Sequence, residues 1–369
     1  MERLVFSEEM EDWEVLQGFL PDGWQSKARE LGAVVRYRKF VDAEGLLRTL
    51  LIHLAEGCSL RLTAAKARFG NITSISDVAL LKRLNKCGEW FRWMALGVME
   101  KWFRKLPAVV FGENSRIRLI DASTIQEPGS TGTTWRVHYS IQLPSLRCDE
   151  VYVTDPKIGE SFTNFKVHGG ELLVADRAYC TPRGIHHVID NGGDVLVRMK
   201  HRVAMVDKQG ERFQLLPHLR TLRVNKLGDW DAFVPFEQRL VAGRICAIKK
   251  SKDATEKARK AIEKEARKKG RQVTPDTLEA AAYIFVFTTL GREISPSQVL
   301  EMYRGRWQIE LAFKRLKSIL GLGHLRKTDI EGAKAWIHGK LLVAFLVEAM
   351  IAAGESFFPW GYPLQKEPP

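Results

Sequence analysis

The sequence predicts a mixed α/β fold that follows a helical N-terminal region, and three observations lead to this prediction. From Val41 to about Phe103, apolar residues recur at helical spacing. After Pro107 the spacing changes to the alternation that is typical of β-strands. A long capped stretch, 295–321, is again helical. With 369 residues and 45% hydrophobic content, the chain can form two or three domains with a sizeable core.

The N-terminal region is predicted to be helical after a loosely structured start of about 25 residues. Helices are expected at 43–57, 60–70 and 77–103. The last of these is capped by Ser76, and Val78, Leu81 and Leu84 are expected to form one face of it. Its lysines and arginine leave two interpretations open: a DNA-binding module, or a packing domain with solvated charges.

The central part of the chain is predicted to form five strands in a recognisable order. The strands are expected at 116–123, 135–143, 149–155, 171–176 and 194–200. The first three form an antiparallel meander, and a helix from Pro182 to Asp190 separates the last two. The apolar run 171–176 is typical of a central strand that is buried on both faces. This order is that of the ribonuclease-H-like fold.

Two acidic residues are predicted at the strand ends that carry carboxylates in this fold. It carries one carboxylate on the first strand, a second just beyond the fourth strand, and a third on a later helix. Asp121 is predicted to end the first strand and Asp176 the fourth. Ligands of open α/β sheets bind at strand ends, so both side chains are expected to face solvent at the rim of the sheet.

Residues 201 to about 290 are predicted to interrupt this fold before the last helix. They carry 19 Lys and Arg against 11 Asp and Glu, which is +8 of the total net charge of +13. Strands are expected at 239–249 and 282–290, with a very polar helix over 254–270 between them. That helix is either a solvated surface helix or a contact for the phosphate backbone of nucleic acid.

The stretch 295–321 is predicted to be a single long helix. Ser295 is a good N-cap, Pro296 suits the first position, and Gly321 can end the helix in the left-handed conformation. The spacing brings Tyr303, Arg306, Glu310 and Lys317 onto one polar stripe. Four apolar residues are expected to form an adjoining arc that packs on the sheet: Ile309, Phe313, Leu316 and Leu320. By itself the stripe also fits an ordinary amphipathic surface helix.

The spacing of these four polar residues resembles the Y-R-E-K motif of bacterial DDE transposases of insertion-sequence family four. In that family the Glu is the third catalytic carboxylate, so the resemblance implies that Asp121, Asp176 and Glu310 form the catalytic triad. It also implies that Tyr303, Arg306 and Lys317 contact DNA phosphates. Trp307 could stack on a displaced base or belong to the core. Ala178 replaces the usual Gly of the family's D-R-G-Y run, which puts the local turn in question.

The expected metal chemistry follows from three carboxylates that converge on one site. Such carboxylates repel one another unless cations neutralise them, and their hard oxygen donors suit Mg²⁺ or Mn²⁺. Two ions about 3.5 to 4 Å apart could activate a water or a DNA 3′-hydroxyl and stabilise the leaving oxygen. Asp155, Glu160 and Asp194 are rival carboxylates, and His138 and Arg198 are plausible neighbours of the site or structural residues.

Charge and cysteine content restrict the class of protein further. The net charge of +13 favours a polyanionic partner, and the five widely separated cysteines suggest neither disulfides nor a zinc site. The apolar run 337–353 is interrupted by His338, Lys340 and Glu348, which predicts a buried helix. The acidic N-terminus lacks the pattern of a secretory signal, so a cytoplasmic protein that joins the nucleoid when bound to DNA is expected.

The resemblance therefore predicts a cut-and-paste DNA transposase. It would bind the inverted-repeat ends of its element, pair them as a homodimer, cleave them and join the 3′ ends to target DNA, with a hairpin intermediate as one option. A structure-selective nuclease and an inactive DNA-binding inhibitor are the alternatives. The expected regions are a helical N-terminal domain (1–106), a first core part (107–200), a basic, mainly β insertion (201–292), the core completion (293–345) and a helix end and tail (346–369).

Overall fold

The computed structural model describes residues 12–35, 42–103, 116–132, 134–224, 226–323 and 325–357. The predicted boundary at residue 106, the start of the chain and the tail beyond residue 357 lie outside these ranges.

The described N-terminal residues form helices, and the sequence predicted some of them wrongly. The helices are α1 (Asp12–Phe19), α2 (Trp24–Glu30), α3 (Ala43–Glu56), α4 (Leu60–Phe69), α5 (Asp77–Leu84) and α6 (Gly88–Trp102). Residues 12–25 are therefore not loosely structured. The expected helix 77–103 is two helices, because i→i−3 hydrogen bonds from Lys86 and Cys87 make a turn that lets Gly88 lie against Ala335. Val78 is 60% exposed, whereas Leu80 and Leu84 are buried.

The rest of the described chain forms strands and helices close to the predicted positions. The strands are β1 (Arg116–Ile125), β2 (Trp135–Gln142), β3 (Arg147–Thr154), β4 (Glu171–Ala175), β5 (Asp194–Arg198), β6 (Leu227–Phe236), β7 (Arg239–Lys249) and β8 (Tyr283–Thr288). The helices are α7 (Pro182–Asp190), α8 (Leu215–Arg220), α9 (Lys252–Lys268), α10 (Pro275–Ala280), α11 (Pro296–Arg304), α12 (Trp307–Lys314) and α13 (Ile330–Phe357), with a π-helical turn at Arg315–Ile319. The sequence pattern missed β6.

All eight strands belong to one sheet in the order β3-β2-β1-β4-β5-β8-β7-β6. The predicted antiparallel meander β1-β2-β3 is confirmed, and β4 pairs in parallel with both β1 and β5. β8 pairs antiparallel with β5, so the strands between residues 201 and 292 extend the same sheet. That segment also contributes helices α8, α9 and α10.

The sheet separates two hydrophobic cores, and β4 contributes to both. Leu172 and Val174 face the core that the N-terminal helices share with α12 and α13, whereas Leu173 and Ala175 face the core under α7. The prediction that this strand is buried on both faces is confirmed. Because the N-terminal helices and the sheet share one core, their relative position is set by packing.

α13 is the central helix of the first core. It is long and apolar enough to cross a membrane, but 61% of its apolar window is buried in the protein, as expected for a core helix. Two of its polar residues have internal partners: His338 Nδ1 donates to the carbonyl of Gly88 over 3.1 Å, and Lys340 donates to the carbonyl of Leu54. The predicted buried helix is confirmed.

Arg118 of β1 forms a buried ionic cluster that joins three strands. Its guanidinium lies 2.6 Å from a carboxylate oxygen of Asp149, 2.6 Å from one of Glu150 and 3.0 Å from one of Glu171. The Arg118 side chain is only 2% exposed. Because β3 carries Asp149 and Glu150 while β4 begins at Glu171, this single cation holds β1 to both strands.

We expect Arg118→Ala to destabilise the protein by about 3–5 kcal/mol, because three buried carboxylates would lose their counter-charge. The free energy of unfolding from urea titration measures this loss. Arg92→Ala is the matched control, since Arg92 pairs with Glu89 at the surface and should contribute less than about 1 kcal/mol. Equal losses in the two variants would contradict the role given to Arg118.

Glu348 of α13 makes the stability of the protein depend on pH. Burial raises the pKa of this carboxyl to about 7, against the opposing charges of Arg315 and Arg147. Its Oε2 is buried and has no hydrogen-bond partner among the described residues. The folded protein therefore keeps the proton at a pH where the unfolded chain has released it, and stability is lost as the pH rises from about 4.5 through 7.

We expect Glu348→Gln to be more stable than the wild type by about 3 kcal/mol at pH 8, with the difference vanishing near pH 4.5. Urea unfolding at the two pH values measures this. The exposed carboxylate of Glu256, which pairs with Lys260, provides the control variant Glu256→Gln. A Glu348→Gln effect of the same size at both pH values would show that burial of the charge is not its cause.

Candidate active site

Asp121 and Asp176 leave neighbouring parallel strands on the same face of the sheet. β1 and β4 are paired up to Ile120 and Ala175, and each Asp is the next residue. Since side chains alternate along strands, Asp121 shares the face of Leu119 and Asp176 that of Val174, which both line the first core. Asp176 directly follows β4, as predicted. β1, however, continues to Ile125, because β2 still pairs with it beyond the last β4 contact.

The surroundings of these two carboxylates favour a bound cation. The pKa of Asp121 is raised to about 6, mainly by burial and also by the charges of Glu160 and Asp176, while a hydrogen bond from Ala122 N and the charge of Arg306 act in the opposite direction. Oδ1 of Asp176 is buried and has no hydrogen-bond partner among the described residues. Two half-buried carboxylates on neighbouring strands, one with an unsatisfied oxygen, fit a divalent ion that both could coordinate.

The stretch 295–321 is not the single helix that the sequence predicted. α11 ends at Arg304, and α12 begins at Trp307. The intervening Gly305 and Arg306 donate i→i−3 hydrogen bonds to Met302 and Tyr303, which tightens the turn. A Cβ on Gly305 would lie 3.0 Å from the carbonyl oxygen of Met302, so glycine permits this local compression.

Other predicted features of this stretch are confirmed. Ser295 and Gln298 form a capping box, Pro296 is the first helical residue, and Gly321 has a φ of 68°. Ile309, Phe313 and Leu316 are buried in the first core, and Leu320 is partly buried against it. The rings of Phe313 and Tyr139 are 5.6 Å apart, and Tyr139 is the β2 partner of Asp121. α12 is thereby packed over the strand that carries Asp121.

Arg306 is the cation that connects the α12 carboxylate with the strand carboxylates. It donates a hydrogen bond to Oε1 of Glu310, and its guanidinium lies 5.8 Å from the ring centroid of Tyr303. Its charge lowers the pKa of Asp121. Burial lowers the pKa of Arg306 itself, but Tyr303, Glu310 and Asp176 together raise it above its ordinary value. The Arg306 side chain is 13% exposed, and Glu310 is 37% exposed. The guanidinium therefore neutralises a site that would otherwise hold excess negative charge.

Lys317 lies beside the same strand, beyond Asp121. Its ammonium donates to the carbonyl of Thr124 over 2.9 Å, and burial lowers its pKa. Lys317 belongs to the π-helical turn Arg315–Ile319. This contact places its charge along β1, at the end of the strand that extends past the sheet partner β4.

A cleft of about 540 Å³ adjoins the site between the sheet and α11. Tyr303, Arg306 and Trp307 line it, together with further cations that sequence reasoning missed or left open: Arg198, Lys250 and Arg304. Trp307 is 57% exposed, so the alternative that it belongs to the core is wrong. Lys250 directly follows β7, and the rule that ligands collect at strand ends could have drawn attention to it.

The structure does not bring the third predicted carboxylate, Glu310, together with Asp121 and Asp176 as a three-ligand metal site. Among the described residues, no group of three or more Asp, Glu, His or Cys side chains converges as a metal site, and Glu310 is held by Arg306. The rival carboxylates have other roles or positions. Asp155 accepts a hydrogen bond from the Lys157 N–H within its turn, and Asp194 accepts one from Thr289. Glu160 is close enough for its charge to act on Asp121.

The sequence left open the roles of three further residues, Ala178, His138 and Arg198. Ala178 does not take a positive φ, so it fits the turn in which Tyr179 N donates to Asp176 O. His138 is fully buried, and its Nε2 forms a hydrogen bond with Thr154 Oγ1 over 3.0 Å. Of its two possible roles, this supports the structural one. Arg198 ends β5 and lines the cleft.

Comparison with known proteins agrees with this geometry. Residues 153–346 match the family model described as the transposase DDE domain. The chain is 35% identical to the putative transposase InsL of insertion sequence element IS186A from Escherichia coli K12, covering 92% of this chain and 93% of the relative. The same identity and coverage relate it to the transposase of IS421 from Escherichia coli. It is 25% identical to the transposase of IS231F from Bacillus thuringiensis subsp. israelensis, over 93% of this chain and 80% of the relative. The chain thus belongs to the bacterial DDE transposases of insertion-sequence family four and is a DNA transposase.

Proposed function

We propose that this transposase cleaves the inverted-repeat ends of its element and joins the 3′ ends to target DNA with the triad Asp121, Asp176 and Glu310. The observation that carries the proposal is the placement of Asp121 and Asp176 on one face, one residue beyond the last paired positions of β1 and β4. Two contacts support the inclusion of Glu310: its helix α12 packs on β1, and its partner Arg306 is close enough for its charge to act on Asp121.

The strand arrangement supports a ribonuclease-H-like core. Strands β1 to β5 have the order 3-2-1-4-5, with β1 antiparallel to β2 and parallel to β4. This arrangement exposes the ends of β1 and β4 side by side, where ligands of such sheets bind. The strands β8, β7 and β6 then act as an extension of this core, with the basic helix α9 outside it.

DDE transposases generally use divalent metal ions. In this chain we assign Asp121 and Asp176 to hold Mg²⁺ or Mn²⁺, as a pair of ions once Glu310 joins them. When bound, the ions would activate a water or a 3′-hydroxyl and stabilise the leaving oxygen. The protein supplies half-buried carboxylates at the ends of paired strands, so the site requires little reorganisation when DNA arrives.

Arg306 gives the site a way to assemble only on DNA. In the structure its guanidinium neutralises Glu310, and its Nε is buried without a hydrogen-bond partner among the described residues. A phosphate is a better bidentate partner for this planar fork than a single carboxylate oxygen. When a DNA phosphate takes the guanidinium, Glu310 becomes free to join the strand carboxylates.

The other residues of the motif would hold the DNA around this point. Lys317 is a point charge beside β1, and Tyr303 backs the guanidinium of Arg306. Trp307 presents an exposed ring at the rim of the cationic cleft, where a displaced base could stack. Such an enzyme would act on two ends at once, so a homodimer on paired ends is part of the proposal.

We expect Asp121→Asn, Asp176→Asn and Glu310→Gln each to lower metal-dependent cleavage of end DNA by at least about 100-fold, because each removes a ligand charge. The assay uses duplexes from the two flanks of the gene, with Mg²⁺ or Mn²⁺ and with a chelator. Asp155→Asn and Asp194→Asn are the matched controls, since these carboxylates have structural partners. Full cleavage by all three triad variants would overturn the assignment.

We also expect Glu310→Gln to bind end DNA at least as tightly as the wild type although it does not cleave, because Arg306 is then free for phosphate. Arg306→Ala should bind about tenfold more weakly. Fluorescence anisotropy with flank duplexes and chelator measures both affinities. Glu331→Gln, which frees Lys334 on α13, controls for the loss of one negative charge. Weaker binding by Glu310→Gln would argue against the exchange of partners by Arg306.

A further inference from the structure

Helices α3 and α4 are joined by a short turn of three residues, Gly57 to Ser59. Gly57 has a φ of 68°, and Ser59 caps α4 by accepting a hydrogen bond from Leu62 N over 3.2 Å. Two helices with a turn of three or four residues that contains glycine make up the connection of a helix-turn-helix unit.

The turn is attached to the rest of the protein through its carbonyl groups. His53 Nδ1 donates to the carbonyl of Cys58 over 2.6 Å, and Arg326 donates to that of Gly57 over 3.0 Å. Arg326 lies between the Glu310 region and α13. The position of α4 relative to the catalytic face is therefore held by direct hydrogen bonds.

The two sides of α4 differ sharply in burial. Its inner side consists of the small buried residues Thr63, Ala64 and Ala67, which let the helix pack closely on its neighbours. Its outer side is open to solvent, with Leu62 48% exposed and Phe69 94% exposed. Large apolar side chains that are this exposed do not contribute to the hydrophobic core.

The outer side has the chemistry of a surface that contacts DNA bases. Leu62, Ala65 and Phe69 follow one line at spacings of three and four residues, with Arg61 and Arg68 beside it. Neither arginine forms an ion pair within the described part of the chain, and α4 carries no acidic residue. Arginine binds guanine edges and apolar groups contact thymine methyl groups in the major groove, which is about 12 Å wide and admits a helix.

We propose that α4 is the helix with which this transposase reads bases in the major groove of its DNA ends, through Arg61, Arg68, Leu62 and Phe69. This inference rests on the proposed function and names the surface that selects the ends. The positive charge of α4, which carries no acidic residue, matches the phosphate backbone of DNA, whereas an apolar protein partner would offer its arginines no counter-charge.

The test compares the affinity for flank duplexes with that for scrambled duplexes of equal length, by fluorescence anisotropy at 0.15 M salt. We expect Phe69→Ala and the double variant Arg61→Ala with Arg68→Ala to lower this ratio by about 10-fold or more each. Because the three side chains are exposed, the melting temperature should stay unchanged. Arg116→Ala with Lys166→Ala removes two exposed cations at the opposite end of β1 and should leave the ratio unchanged.

The two possible failures are distinguishable. If the wild type neither prefers nor cleaves flank duplexes, the proposed function falls, and this inference falls with it. If the wild type prefers and cleaves them while the α4 variants keep the same ratio, only the role of α4 is overturned. A change of molecular mass in solution for Phe69→Ala, with an unchanged ratio, would assign the face to contact between copies instead.

Discussion

The buried guanidinium of Arg118 holds β1 against β3 and β4, and the catalytic face depends on that arrangement. Arg118 lies three residues before Asp121 on the same strand. A slip of one residue in the pairing of β1 with β4 would turn Asp121 to the opposite face, away from Asp176. The ion cluster makes such a slip costly, because any other register would leave buried carboxylates without their cation.

A second arginine, Arg306, has fewer carboxylate partners and a more exposed environment than Arg118. Arg118 has three carboxylates and almost no solvent exposure, whereas Arg306 has one carboxylate partner that is itself 37% exposed. Arg118 thereby holds β1, β3 and β4 in one arrangement, whereas we propose that Arg306 can exchange Glu310 for another partner. In the proposed mechanism both are useful, since the strand carboxylates stay fixed while the complete site forms only on DNA.

The surfaces that would contact DNA are tied to this face by the same packing. Buried Arg244 of β7 donates to the carbonyls of Leu290, Gly291 and Ile294, which fixes the loop that leads into α11. Arg326 holds the turn before α4 in a comparable way. Hydrogen bonds from buried or anchored arginines to loop carbonyls thus set the distances between the elements that must act on one DNA molecule.

The sequence by itself determined most strands, the caps of the Ser295 helix and the place of Asp176 directly after β4, because alternation and capping are local properties. Only the tertiary structure decided the break at Gly305, the split at residues 85–87 and the pairing of β8 with β5, since these depend on contacts between distant segments. It also decided that Arg306 is paired with Glu310 and that Trp307 and Phe69 face solvent. Burial and ion pairing are set by what packs against a residue, and spacing along the chain does not contain that information.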